Sequence, residues 1–139
     1  MAWYLCTIAS SSKKNWDLCQ QSLTWGISTK SGFASGDKAR KGDNLIFWIG
    51  GIGFVGTARA AEDTRPPINK KEVPWLGGQV QYGLVIPLDE IKLFRKPLKL
   101  TFENRKQRKT GLEQFVFQRG YMPITDEVAK IVLSEPGIF

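Results

Sequence analysis

The run Leu45-Ile46-Phe47-Trp48-Ile49 constrains this chain more than any other stretch. It is continuously apolar, too short for a buried helix, and bracketed by turn chemistry: Lys41-Gly42-Asp43 before it and Gly50-Gly51 after it. Such a run reads as a central strand, covered on both faces. The glycines that follow lead into a second strand, Gly53 to Ala61, so the pair is expected to form a hairpin. The same glycines, Gly51-Ile52-Gly53-Phe54-Val55-Gly56, match the GxGxxG dinucleotide fingerprint. That fingerprint requires a helix whose N-terminus meets the pyrophosphate. Here Thr57-Ala58-Arg59-Ala60-Ala61 runs into Asp63, Pro66 and Pro67, which leaves no room for one. The hairpin is the reading that survives.

Around this hairpin the chain reads mostly as strands. Trp3 to Ile8 is rich in aromatic and β-branched residues and forms a buried first strand. Ser10-Ser11-Ser12 turns the chain, with Ser12 as N-cap of a helix from Lys13 to about Ser22. Trp16, Cys19 and Leu23 recur at helical spacing and are expected to face the core. Asn15 points elsewhere, because adjacent helical residues diverge by roughly 100°. Leu23-Thr24-Trp25-Gly26-Ile27-Ser28 carries a strand, and Thr29 to Asp43 is a polar loop. Asp63 to Gly78 is a second long loop, broken by Pro66, Pro67, Pro74 and Gly77-Gly78; loops of this length are more often functional. Gln79 to Pro87 is a strand, Leu88 to Phe94 a helical turn, Leu98 to Phe102 a strand and Leu112 to Gln118 a short helix. Thr125 caps a last helix, Asp126 to about Glu135, with acidic residues in its first turn as the dipole favours and Val128, Ile131 and Val132 on its buried face. The 139 residues make one domain, α+β in class: a mixed barrel flanked by short helices.

Composition narrows the chemistry. The chain has no histidine, which removes Ser-His and Cys-His nucleophile pairs and every histidine-containing metal site. Two cysteines, Cys6 and Cys19, neither build a disulfide scaffold nor complete a zinc site. Glu90-Ile91-Lys92 resembles the acidic-x-lysine end of some nucleases, but no preceding strand ends in an acid to share a metal, so it reads as a solvated turn. The expectation is a non-enzymatic protein without cofactor or metal. With no secretory segment and no membrane-length apolar run, a reduced, cytoplasmic setting is expected. The balance of 20 Lys+Arg against 13 Asp+Glu, net +7, favours a polyanion as partner, nucleic acid first. Arg105-Lys106-Gln107-Arg108-Lys109 is the densest basic cluster and has no interleaved acid. Together with Lys13, Lys14, Lys70 and Lys71 it supplies the candidate phosphate contacts, which would hold a backbone without reading sequence.

Five tryptophans make a high count for this length. Trp3, Trp16 and Trp48 lie in apolar strands or on an apolar helical face, and core packing accounts for them. Trp25 and Trp75 each stand beside or near glycine, and Trp75 lies in a Pro/Gly-rich loop. An indole face stacks a planar heterocycle, and a neighbouring glycine lets another group approach the backbone. These two are the candidate base-stacking residues.

The order and spacing of these features resemble the EVE domains of the PUA-like superfamily and, more distantly, the YTH domains. The likeness is carried by the first strand followed by Asn15-Trp16-Asp17-Leu18-Cys19 and Trp25-Gly26, by Lys41-Gly42-Asp43 leading into the Leu45–Ile49 strand, and by Gly53-Phe54-Val55-Gly56-Thr57-Ala58 with the loop to Trp75-Leu76-Gly77-Gly78. It spans about Trp3 to Leu133. The resemblance implies a PUA-like mixed β-barrel with a pocket for a flipped-out, often methylated, base. It implies Trp25 as one cage wall and Trp75 as a second, backbone groups of Gly26, Ile27 and Ser28 at the base edge, and polar contacts from Asn15 and Ser11. The function it implies is reading of modified bases in DNA in a restriction or defence context, with a nuclease domain or subunit as partner; an RNA-binding PUA-like domain is the alternative.

Overall fold

A computed structural model describes residues 1–28, 38–99 and 120–139. In chain order it contains β1 (Trp3–Ile8), a 3-10 turn (Ser10–Ser12), α1 (Lys14–Ser22), β2 (Thr24–Ser28), β3 (Asn44–Ile49), β4 (Gly53–Ala60), a second 3-10 turn (Lys70–Glu72), the helical turn α2 (Gly78–Gln81), β5 (Tyr82–Leu98), β6 (Tyr121–Ile124) and α3 (Asp126–Leu133). Among the described residues the strands form one six-stranded sheet in the order β2-β5-β4-β3-β1-β6. β1 and β3 run parallel, and the other pairs are antiparallel. The sheet curls into a half-barrel, the mixed α+β architecture expected from the sequence.

The apolar run does form a central strand. Leu45, Ile46, Phe47 and Ile49 are buried, with β1 on one side and β4 on the other. Strand alternation sends its residues to two cores. Tyr4, Cys6, Leu45 and Phe47 join Trp16 and Cys19 of α1 inside the curl. Leu5 and Ile46 face the opposite way and pack with Phe54, Phe94 and Val132 of α3. Both cysteines are buried and free, and burial pushes both thiols upward. The GxGxxG segment is the β3–β4 hairpin, and Gly53–Ala60 is extended throughout.

Several local expectations are corrected. Ser12 does not cap α1. It sits in the 3-10 turn, which runs directly into the helix through Lys13, so the first turn is satisfied by backbone and has no side-chain cap. Leu23 does not face the core. It ends α1 in a left-handed conformation (φ 54°) and is 52% exposed, because reversing the chain into β2 turns its side chain outward. Trp3 and Trp48 are only partly buried, lying against the second core. Residues 79–81 belong to α2 and not to the strand, which begins at Tyr82. Leu88 to Phe94 is not helical. It continues β5, and Glu90 adopts φ 48° where the β4–β5 register shifts. A bulge adds residues to one strand of a pair and breaks the two-residue alternation, so an irregular strand imitates a helical period. In α3, Thr125 caps as expected, accepting from the Val128 N–H, but Ala129 and Val132 are the buried residues, with Val128 and Ile131 half-buried. The strand expected from Leu98 ends at Leu98 within the described residues. Residues 100–102 of that expectation, the expected helix over 112–118 and the cluster Arg105, Lys106, Arg108 and Lys109 lie outside them.

Candidate base-binding site

The seam between β2 and the β1–β6 edge holds a cavity of about 180 Å³. Sites for drug-sized ligands run to roughly 300–1,000 Å³; this one suits a single small heterocycle. Trp25, Gly26, Ile27 and Ser28 line it from β2, Asn15 from α1, and Trp75 and Tyr82 from the 61–82 segment. Thr7, Ile8 and Ala9 close the far side with Gly120 and Tyr121. Six of the seven residues expected at the base are therefore together. Ser11 is the exception: it is exposed, and its neighbour Ser12 lines the cavity. The 3-10 turn sets this phase, which a sequence reading that makes Ser12 an N-cap cannot anticipate.

Trp25 and Trp75 reach the cavity by different routes. Trp25 lies in a regular strand, is 6% exposed, and packs edge-on against Phe47, ring centroids 5.5 Å apart. Its Nε1–H is buried and has no hydrogen-bond partner among the described residues. Leaving a buried donor unpaired costs about 1–3 kcal/mol. Trp75 is 5% exposed and sits on a loop. Its Nε1 donates to the Asn15 carbonyl at 3.3 Å, and its ring lies 5.2 Å from that of Tyr82.

Gly26 is what permits this arrangement. A Cβ there would stand 2.7 Å from Trp75 Cζ3 and 2.8 Å from Tyr82 Cδ1. The group that approaches the Gly26 backbone is thus the Trp75 ring itself. Successive residues of a strand face opposite ways. The Trp25 side chain leaves one face of β2, toward Phe47, and Trp75 covers the other.

The backbone of Gly26 has a further property. It pairs with Val85 of β5, but the Val85 N–H and C=O are both committed to Arg65, at 2.7 and 3.0 Å. A strand residue directs its N–H and C=O to the same side, and antiparallel pairs alternate between bonded and non-bonded. Gly26–Val85 is therefore a non-bonded pair. The Gly26 N–H and C=O point away from β5, to the edge of β2 that no described strand covers.

The loop that carries Trp75 is bolted down. Arg65 Nη1 and Nη2 donate to the two Glu72 carboxylate oxygens at 3.0 and 2.7 Å, and the Ile68 N–H donates to the same carboxylate at 2.7 Å. The Glu72 carbonyl accepts from Thr24 Oγ1 at 2.8 Å, tying the loop to the first residue of β2. The Arg65 hydrogen bond holds the Glu72 carboxyl below the usual carboxylate range.

Among the described residues, no side chain lining the cavity carries a charge. Burial pushes the Tyr82 and Tyr121 phenols upward, so both keep their protons near neutrality. Tyr121 Oη accepts from the Ala39 N–H at 3.0 Å, and its ring stacks on Tyr4 with centroids 5.1 Å apart. Sequence reasoning missed Tyr82 and Tyr121; each adjoins a glycine, Gly83 and Gly120, as Trp25 adjoins Gly26. The charge lies elsewhere. Lys13 and Lys14 are exposed beside Ser12 and Asn15, and Lys70 and Lys71 are exposed on the second 3-10 turn, with no ion pair among the described residues. Asp89 and Glu90, read as a solvated turn, instead hold Arg59 at 3.1 and 3.3 Å. No group of His, Cys, Asp and Glu among the described residues is arranged to hold a metal, and no helix there is long and apolar enough to cross a membrane.

No protein-family model matches the sequence, and no curated protein matches it. Solved structures are similar in fold. A protein from Pseudomonas syringae has a TM-score of 0.63 at 16% identity, covering 96% of this chain and 98% of that one. Human THYN1, solved in complex with 5-methylcytosine containing DNA, has a TM-score of 0.61 at 15% identity over 96% of both chains. The YTH domain of the Zygosaccharomyces rouxii MRB1 protein, solved in complex with N6-methyladenosine RNA, has a TM-score of 0.55 at 16% identity, over 95% of this chain and 85% of that one. The fold is the EVE/YTH-like, PUA-like fold that the sequence resemblance implied.

Proposed function

We propose that this protein is a non-catalytic reader of modified bases in DNA, taking one flipped-out base into the cavity at the β2 seam. The observation that carries this reading is the base-sized cavity, uncharged among the described residues, bordered by Trp25 and Trp75 from the two faces of β2. A base laid against that edge would have an indole on each side. The Gly26 N–H and C=O would meet a base edge that sets an acceptor beside a donor, as cytosine and adenine both do. The buried Trp25 N–H offers a further donor, and the Asn15 side chain a polar contact. Stacking is worth about 1–3 kcal/mol per base, which offsets the few kcal/mol that unstacking costs. The described lining offers no cation to a phosphate. The exposed lysines Lys13, Lys14, Lys70 and Lys71 would hold the backbone outside it, at a cost that rises with salt. The THYN1 complex with 5-methylcytosine containing DNA supports DNA as the polymer.

The test is a titration of oligonucleotides that differ only in one modified base. Trp25→Ala, and the milder Trp25→Phe that keeps a ring but loses the N–H, should bind modified and plain oligonucleotides alike while retaining salt-sensitive background binding. An undiminished preference in both variants would remove the cavity from the function. The YTH complex with N6-methyladenosine RNA gives one observation in favour of RNA. Competition of methylated RNA against methylated DNA separates the two, and a winning RNA would replace DNA in this reading.

A further inference from the structure

Leu76 is 94% exposed, yet its neighbour Trp75 is 5% exposed and walls the cavity. The contrast comes from a tight turn. The Gly78 N–H donates to the Trp75 carbonyl at 3.0 Å, and Gly77 adopts φ 96°, ψ −21°. This is the type II pattern, which needs glycine at the third position and puts Leu76 at the second, on the tip. The tip is braced from both sides. Trp75 is held by Asn15 and packed on Gly26, and the Gln81 N–H donates to the Gly77 carbonyl at 3.3 Å.

Scattered exposed apolar residues are ordinary on a protein surface. This one differs in its address and its stiffness. In the free protein the leucine gains nothing from burial, and a turn tip of this type accepts polar residues equally well. It stands one residue from the wall that, on the proposed function, stacks an extruded base. Extrusion leaves a gap in the duplex, and proteins that disturb base stacking fill such gaps with apolar side chains.

We propose that Leu76 is a wedge that enters a double helix and occupies the space vacated by the flipped nucleotide. The inference rests on the base-reading function and adds the form of its ligand: a base-paired duplex, held open by the protein. Leu76 is then a positioning residue, which acts on the neighbouring stack and not on the modified base.

The experiment compares wild type, Leu76→Ser and Ile68→Ser. Ile68 is 74% exposed on the same loop but away from the turn, and controls for loss of apolar surface. The probes carry one central modified base, the one the wild type prefers among 5-methylcytosine, 5-hydroxymethylcytosine and N6-methyladenine. They are a fully paired duplex, the same strand alone, and a duplex with an abasic site opposite the modified base. Leu76→Ser should keep the wild-type melting temperature. It should weaken the paired duplex roughly tenfold or more while changing the single strand less than about twofold, with the abasic duplex between them. Equal weakening on duplex and single strand would overturn the wedge and make Leu76 a contact to the base. An unchanged duplex affinity, or the same loss from Ile68→Ser, would overturn it too. A wild type with no preference for any modified probe would instead bring down the base-reading function, a result separate from failure of the wedge alone.

Discussion

The two indoles that border the cavity belong to regions held in opposite ways. Trp25 is a residue of β2, fixed by pairing with Ile86 of β5 and by edge contact with Phe47. Its position follows from the sheet. Trp75 belongs to no strand, although its ring lies over Gly26 of β2. A loop of irregular backbone brings it in, fastened by the Arg65–Glu72 pair, the Thr24 bond to the Glu72 carbonyl and the Asn15 carbonyl. One wall depends on hydrophobic packing, which no titration touches. The other adds to its packing on Gly26 and Tyr82 a few polar bonds that titration or a single substitution removes. The difference teaches that the cavity has a fixed side and an adjustable side.

The strongest way to break the comparison is to attack the fixed side. Trp25→Ala removes a buried indole from the larger core and should cost about 3–5 kcal/mol in chemical denaturation. A smaller loss would mean that Trp25 is not part of the core. Gly26→Ala strikes where the two sides meet. Its methyl group would collide with the Trp75 ring, and overpacking of this kind costs about 1–3 kcal/mol. The expected result is a protein that keeps its sheet by circular dichroism and loses its preference for modified oligonucleotides. Retained preference would show that Trp75 moves aside freely.

Glu72→Gln sharpens the comparison by loosening the adjustable side alone. Loss of the two-pronged bond to Arg65 should cost about 1–3 kcal/mol, and the part of the tryptophan emission that Trp75→Phe removes should report a wetter environment. Acid should do the same reversibly. The carboxyl of Glu72 is held below its unfolded value by Arg65, so its contribution is complete above the ordinary carboxylate range and fades as pH falls through the lowered value. An acid titration should therefore loosen Trp75 as pH falls through the lowered Glu72 value, and Glu72→Gln should flatten that transition. The smallest effect belongs to Arg59, whose pair with Asp89 and Glu90 is solvent-exposed and remote from the cavity lining. Arg59→Ala should leave melting temperature and binding unchanged, and a clear loss of either would tie this pair to the site.

Much of this was legible in the residues. The apolar run of β3, the glycine turn into β4 and the capped helix α3 are local patterns, and each appears where its pattern stands. The pairing of Trp25 with Trp75 was legible through resemblance and residue type. The phase of short elements was not. Ser11 and Ser12 exchanged roles because a 3-10 turn, and not a capped start, leads into α1. Leu88 to Phe94 became strand because β4 supplies a partner for it, an interaction that no window of sequence contains.

What the sequence by itself determined is a set of elements and an inventory: strands from apolar runs between glycines, no histidine for catalysis, two indoles near glycine, excess positive charge. Those follow from propensity and composition, which act within a few residues. Only the tertiary structure decided that Asn15 and Trp75, sixty positions apart, share a hydrogen bond, that the Trp75 ring fills the space of the side chain Gly26 lacks, and that the Gly26 N–H and C=O face an edge no described strand covers. The reason is physical: such contacts exist only when the curl of the sheet brings distant segments within a few ångströms, and that curl is set by all the strands together.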